Sequence, residues 1–225
     1  MLFSIFRDPS YDFKTKITLA VFSIVIVVFS LTIHEVCHGA TALALGDPTA
    51  KQRGRLTLNP LKHLNPMGAI CMLLFGFGWA EPVPINPYYF KNRKLGMAIT
   101  ALAGPASNLI ISFLSMIAMR GTDRVFGVVQ NGENLFSLIY LFFYMLHMMN
   151  LYLAIFNLIP VPPLDGSRIL FIFLPSDKYF KVMKYERYIA LGLIALLYFG
   201  VLSGPLSFIV NGISSGMEWL VSLVL

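Results

Sequence analysis

The sequence predicts an all-α polytopic membrane protein, and three observations predict it. Hydrophobic residues fill 57% of 225 positions. Charged residues fill 12%, against about 25% in a soluble domain, too few to coat a globule with a hydrated surface. The apolar residues fall in long runs separated by basic or Pro- and Gly-rich stretches, and the mean hydropathy is +0.73. Disorder is excluded because the chain has too much apolar surface. A disulfide scaffold is excluded because Cys37 and Cys71 allow at most one bridge.

A helix needs about 20 apolar residues to cross a bilayer core of about 30 Å. The first such run spans 17–33 and continues as helix to Leu45. It is too long for a signal peptide and ends in charged and His residues rather than a small-residue cleavage site. Residues 46–65 read as a polar, basic loop. Residues 67–79 are apolar but short for a crossing, which suits a re-entrant or β-like segment. Pro82, Pro84 and Pro87 then exclude helix. A second span covers 95–119, interrupted at Gly104-Pro105, and a third covers 135–159 and ends at Pro160-Val161-Pro162-Pro163. A short helix over 168–174, a basic loop over 178–187 and apolar runs over 189–202 and 206–225 complete the chain. The expectation is about five to six transmembrane helices in one integral membrane domain over 1–225. Its core would cover about 17–175, and C-terminal helices about 188–225.

The charges orient this arrangement. Stretch 46–95 carries seven basic residues against two acidic, 165–187 carries five against three, and 120–133 is balanced. With 67–79 re-entrant, the two basic stretches share one face, and the positive-inside rule makes that face cytoplasmic in a multi-pass cell-membrane protein. The N-terminal tail then lies outside. The net charge of +6 is explained by basic loops against anionic lipid, so no nucleic-acid partner is expected.

Ionisable residues inside spans are costly and are functional by default. His34-Glu35-Val36-Cys37-His38 is such a cluster. Positions i and i+4 share a helix face, so both imidazoles can reach one metal ion. Glu35, about 100° around the helix, can address a water on that ion. This is the HExxH arrangement of zinc metalloproteases, in which zinc lowers the pKa of water to about 7 and the glutamate takes the proton. From Lys16 to His34 the helix rises roughly 27 Å, which places the cluster inside the far edge of the bilayer. A catalytic zinc needs a third protein ligand and an open position. The candidates are Cys37, His63, Glu81, His147 and Asp165. Asp165 is the strongest, because it follows a Pro-unwound turn at the end of a span, on the basic face; its alternative role is to cap the following helix.

Three motifs in order carry a resemblance to the site-2 protease family of intramembrane zinc metalloproteases. They are His34-Glu35-Val36-Cys37-His38, Gly104-Pro105-Ala106-Ser107-Asn108, and Asn157-Leu158-Ile159-Pro160-Val161-Pro162-Pro163-Leu164-Asp165-Gly166. Residues 54–60 and 78–84 add to it, and the chain resembles in particular the compact prokaryotic members without an appended PDZ or CBS domain. The resemblance implies that His34, His38 and Asp165 bind Zn2+, that Glu35 is the general base, and that Asn108 lies near the zinc and helps hold substrate or the oxyanion. Asn157 is a further candidate for substrate contact, with a hydrogen bond across the unwound turn as its alternative. Two positions depart from the family pattern: Asn65, where Asp is common, and Glu81, where Lys is common.

The expected activity is hydrolysis of peptide bonds within or near the transmembrane segment of a single-pass protein in the bilayer. The substrate helix unwinds first, because helical carbonyls are already bonded. It then pairs as a strand near residues 67–85. Rival readings are a metal-binding membrane transporter and a proteolytically silent scaffold. A transporter needs polar residues along its path, but apart from His147 the spans 95–119 and 135–159 hold no ionisable residue. Glu35 argues against the silent scaffold.

Overall fold

The computed structural model describes residues 2–63, 65, 67, 68, 70, 71, 81–128 and 135–225, and their regular structure is helical. After a short helix α1 (Leu2–Arg7), α2 runs from Phe13 to Ala44. Asp12 starts it, its carboxylate accepting the Thr15 N–H at 3.1 Å, the usual cap for an orphan first-turn amide. The chain leaves α2 through Gly46, whose φ of +104° disfavours a side chain, and forms one turn, α3 (Thr49–Gln52). Helix α4 (Arg93–Phe126) is capped by Asn92 and closed by the left-handed Gly127. Then follow α5 (Leu135–Asn157), α6 (Asp165–Leu170), α7 (Ser176–Met183), α8 (Glu186–Tyr198) and α9 (Ser203–Ser222).

Among the described residues α2, α4 and α5 are each long and apolar enough to cross a membrane, and α8 with α9 forms a pair bent by 80°. The all-α polytopic architecture is therefore as expected, with three to four such spans where about five to six were anticipated. Among the described residues the difference lies at the C-terminal end. The 13 residues of α8 rise only about 20 Å, short of a bilayer core, and the break holds Gly200 at φ +71° and the Gly204-Pro205 pair. Pro105 does not interrupt α4, which continues through it. Such prolines are tolerated in membrane helices, where neighbours satisfy the freed carbonyl. Most of the expected re-entrant or β-like segment at 67–79 lies outside the described residues.

In helices this apolar, size and polarity rather than hydrophobicity select the buried face. On α2 the packed residues are mostly small or polar, Ala20, Ser23, Ser30, His34, His38 and Ala42 with Ile26 and Val27 among them, while Val21, Ile24, Val25 and Phe29 are exposed. Helix α4 is central and packs on α2, α5, α6 and α9. Leu151 and Ile155 of α5 meet Leu206 and Val210 of α9, and Met116 and Met119 of α4 meet Val221. A buried polar clamp joins the same three helices: the His147 ring bonds the Ser112 hydroxyl at 2.8 Å and the Ser214 hydroxyl at 2.9 Å.

The described residues of the 46–92 connection are braced by side chains. Asp47, fully buried, accepts the Thr49 N–H at 2.9 Å, the Thr49 hydroxyl, and the Asn86 N–H at 2.6 Å. Arg55 donates to the Glu81 carbonyl at 2.5 Å. The two positions that depart from the family pattern meet, Asn65 Nδ2 donating to Glu81 Oε2 at 3.3 Å. Asp47→Ala removes a buried charged acceptor from three donors, so it should lower stability by about 3 kcal/mol and free residues 81–86. Thermal unfolding in detergent measures the first effect.

Candidate active site

The sequence 34–38 stays helical because it lies on the last third of α2, where i and i+4 side chains stack. His34 and His38 are both 6% exposed. Their Nε2 atoms lie 3.0 Å apart. Asp165 arrives from the far end of the chain, its Oδ2 lying 3.1 Å from His34 Nε2 and 3.2 Å from His38 Nε2. One ligand atom from each of the three residues falls within 4.8 Å of the others.

Two features of the local sequence deliver Asp165. Prolines 160, 162 and 163 end α5 in turns rather than helix. Gly166 then packs so tightly on the Leu158 and Ile159 carbonyls that a Cβ would collide with both. Asp165 is the first residue of α6, whose cap position is Leu164. Its side chain therefore faces the histidines rather than capping the helix. Burial pushes the carboxyl pKa upward, but the two imidazoles outweigh it and hold the group well below the usual carboxylate range.

The protonation pattern tests whether these residues suit a metal. His38 Nδ1 lies 2.7 Å from the Thr100 carbonyl oxygen, an acceptor only, so Nδ1 is the donor. His34 Nδ1 lies 2.5 Å from Asn108 Oδ1, so it too donates. In the neutral rings both Nε2 atoms then present lone pairs, facing each other and an ionised carboxylate. A cation stabilises this convergence, and the outward N–H bonds are the usual second contacts of metal-binding imidazoles. The residues fit a divalent metal of borderline softness with N2O ligation.

Glu35 does not join the three ligands. Its Oε2 accepts the Val83 N–H at 2.9 Å, so the 81–86 stretch reaches Glu35 directly. With His34, His38 and Asp165 it lines a cavity of about 560 Å³. Pro82, Val83 and Ile85 form one side of this cavity, and Leu191, Leu193, Ile194 and Leu197 of α8 contribute apolar surface. Asn157 lines it too, its Nδ2 donating to the Leu153 carbonyl at 2.9 Å.

Asn108, expected near the metal and toward substrate or the oxyanion, lies against His34. It is fully buried, with Oδ1 on His34 and Nδ2 donating to Asn150 Oδ1 at 2.7 Å. It stands behind His34. The remaining candidates lie elsewhere. His63 is buried in the loop on the Thr57 carbonyl, 2.8 Å away. His147 belongs to the clamp of α4, α5 and α9. Cys37 is a free, half-buried thiol, and Glu81 is exposed.

Sequence reasoning missed two features. Gly104, in the expected interruption of the span, is where α4 touches the histidine pair: a Cβ there would lie 2.5 Å from His38 Nε2 and 2.6 Å from His34 Nε2. The signal was a glycine in mid-span, which marks close approach. The Val83 amide left a weaker signal, as the N–H donor between two prolines.

Comparison with known proteins agrees with the geometry. The pattern of peptidase family M50 matches residues 22–200. The chain is 38% identical to YwhC of Bacillus subtilis over 176 residues, covering 76% of this chain and 78% of that protein. It is 32% identical to Rip2 of Mycolicibacterium smegmatis over 156 residues, covering 66% of this chain and 56% of Rip2. It is 29% identical to MJ0611 of Methanocaldococcus jannaschii over 168 residues, covering 74% and 75% of the two chains. All three are provisionally named zinc metalloproteases. No solved structure matches the chain.

Proposed function

The chain belongs to peptidase family M50, and from that premise we propose that it is an intramembrane zinc metalloendopeptidase. It cleaves peptide bonds within or near the transmembrane segments of single-pass membrane proteins. The observation that carries this reading is the convergence of His34, His38 and Asp165 beside Glu35 in a cavity with apolar walls. An apolar wall suits a substrate segment drawn from lipid better than a soluble peptide.

His34, His38 and Asp165 would hold Zn2+. When bound, the ion supplies Lewis acidity toward the scissile carbonyl and the attacking water. Glu35 takes the proton from that water and returns it to the leaving amine. Asn108 orients His34. Asn157, on the cavity wall, contacts the unwound substrate backbone. Residues 81–86 border Glu35, and because Pro82 and Pro84 lack N–H groups, Val83 supplies the one amide of 82–84, which Glu35 holds at 2.9 Å. Residues 17–175 act as the catalytic core in one domain, with 46–95 and 165–187 on the cytoplasmic face.

The test uses purified protein in detergent with a single-pass substrate. Cleavage is expected, its loss after removal of metal by a chelator, and its return with zinc at near-stoichiometric amounts. Full activity after complete demetallation would overturn the reading.

A further inference from the structure

We propose that Asn150, in mid-α5, is a positioning residue for the metal centre: through Asn108 it fixes which nitrogen of His34 carries the proton. The inference rests on the metal-site reading above. The relay starts at an atom whose role cannot change. The Leu146 carbonyl only accepts, so the Asn150 side-chain atom 2.9 Å from it is Nδ2. The same nitrogen donates to Ser30 Oγ at 2.9 Å. Asn150 therefore turns Oδ1 toward Asn108, whose facing atom, 2.7 Å away, must be Nδ2. Asn108 then turns Oδ1 toward His34 Nδ1, which carries the proton and leaves Nε2 bare for the metal. Asn108, Asn150 and Ser30 are each fully buried, so water does not substitute for any link. The relay joins α5, α4 and α2, and Ser30 ties its start to the helix that carries the ligand.

Without the Asn150 acceptor, Asn108 Nδ2 is a buried, orphaned donor. Rotating the amide directs that donor at His34 Nδ1 and leaves a bare carbonyl instead, the better-tolerated defect. His34 must then accept at Nδ1 and protonate Nε2, which removes a metal ligand.

The experiment measures zinc affinity by chelator competition in purified protein, with Glu35→Gln in the background to prevent self-cleavage. Asn150→Leu should weaken zinc binding about 10- to 100-fold, the usual effect of disturbing a ligand's outer partner. The ring 15N shifts of metal-free His34 should move to the Nε2–H pattern. Asn108→Asp added to Asn150→Leu should restore the affinity, because a carboxylate accepts from Nδ1 in either orientation. Ser112→Ala, in the neighbouring clamp, should lower thermal stability without changing zinc affinity. Wild-type affinity in Asn150→Leu, or no recovery in the double variant, overturns the relay. Absence of stoichiometric zinc in the parent protein overturns the metal-site reading instead. If Asn150→Leu does not fold, Asn150→Ala removes the same acceptor and is read the same way.

Discussion

Replacing Glu35 by glutamine should abolish peptide hydrolysis and leave zinc bound. Glutamine has nearly the same shape, and its amide oxygen can still accept the Val83 N–H that Glu35 holds at 2.9 Å. The 81–86 stretch should therefore keep its place and the protein its stability. Glu35 is also not among the three convergent ligands, so metal affinity should stay within about twofold, as expected where no ligand or outer partner is touched. What disappears is basicity, because an amide does not accept the proton of an attacking water. General acid–base catalysis contributes about 10² to 10⁴ in rate, and the proposed mechanism uses Glu35 in both steps, so the loss should reach about 10³ or more. The measurement pairs metal content with cleavage of a single-pass substrate. Retained cleavage at full metal loading would remove Glu35 from the mechanism.

The sequence made some of this legible and hid the rest for physical reasons. The long spans were legible because an apolar run is a local signal. The pair at His34 and His38 was readable because helical spacing alone puts two rings on one face. Asp165 lies 131 residues from His34 and no periodicity links them; the Pro-unwound turn and the family motif pointed to it. Other features depend on how helices approach one another. The Asn108 amide could have faced a substrate or a ligand, and the approach of α4 to α2 decides which. Asn150 sits in an apolar stretch with no motif around it, and its role follows from a hydrogen-bond chain through three helices. The 80° bend between α8 and α9 is likewise absent from hydropathy, which reads 189–202 and 206–225 as separate runs.

Gly104→Ala separates helix propensity from the close approach at the site. By propensity alone the change should stabilise α4, since alanine is favoured over glycine in a helix by about 1 kcal/mol. Gly121, in the same helix and with open space around it, provides that comparison: Gly121→Ala should be neutral or slightly stabilising and leave zinc affinity unchanged. At position 104 the added methyl would lie 2.5 Å from His38 Nε2 and 2.6 Å from His34 Nε2, where the ligand lone pairs converge. Either the rings rotate away, which breaks their Nδ1 bonds to Asn108 and Thr100, or α4 moves off α2, which carries Asn108 with it. Both routes disturb the ligands and their outer partners together, so zinc affinity should fall by more than about 100-fold, beyond the loss of one outer partner. Chelator competition reads the affinity and thermal unfolding reads the fold. A Gly104→Ala protein that is folded but unable to hold zinc, beside a Gly121→Ala protein that holds it, would establish that this glycine makes room for the metal centre. Wild-type zinc affinity would show that α4 does not approach the histidines this closely.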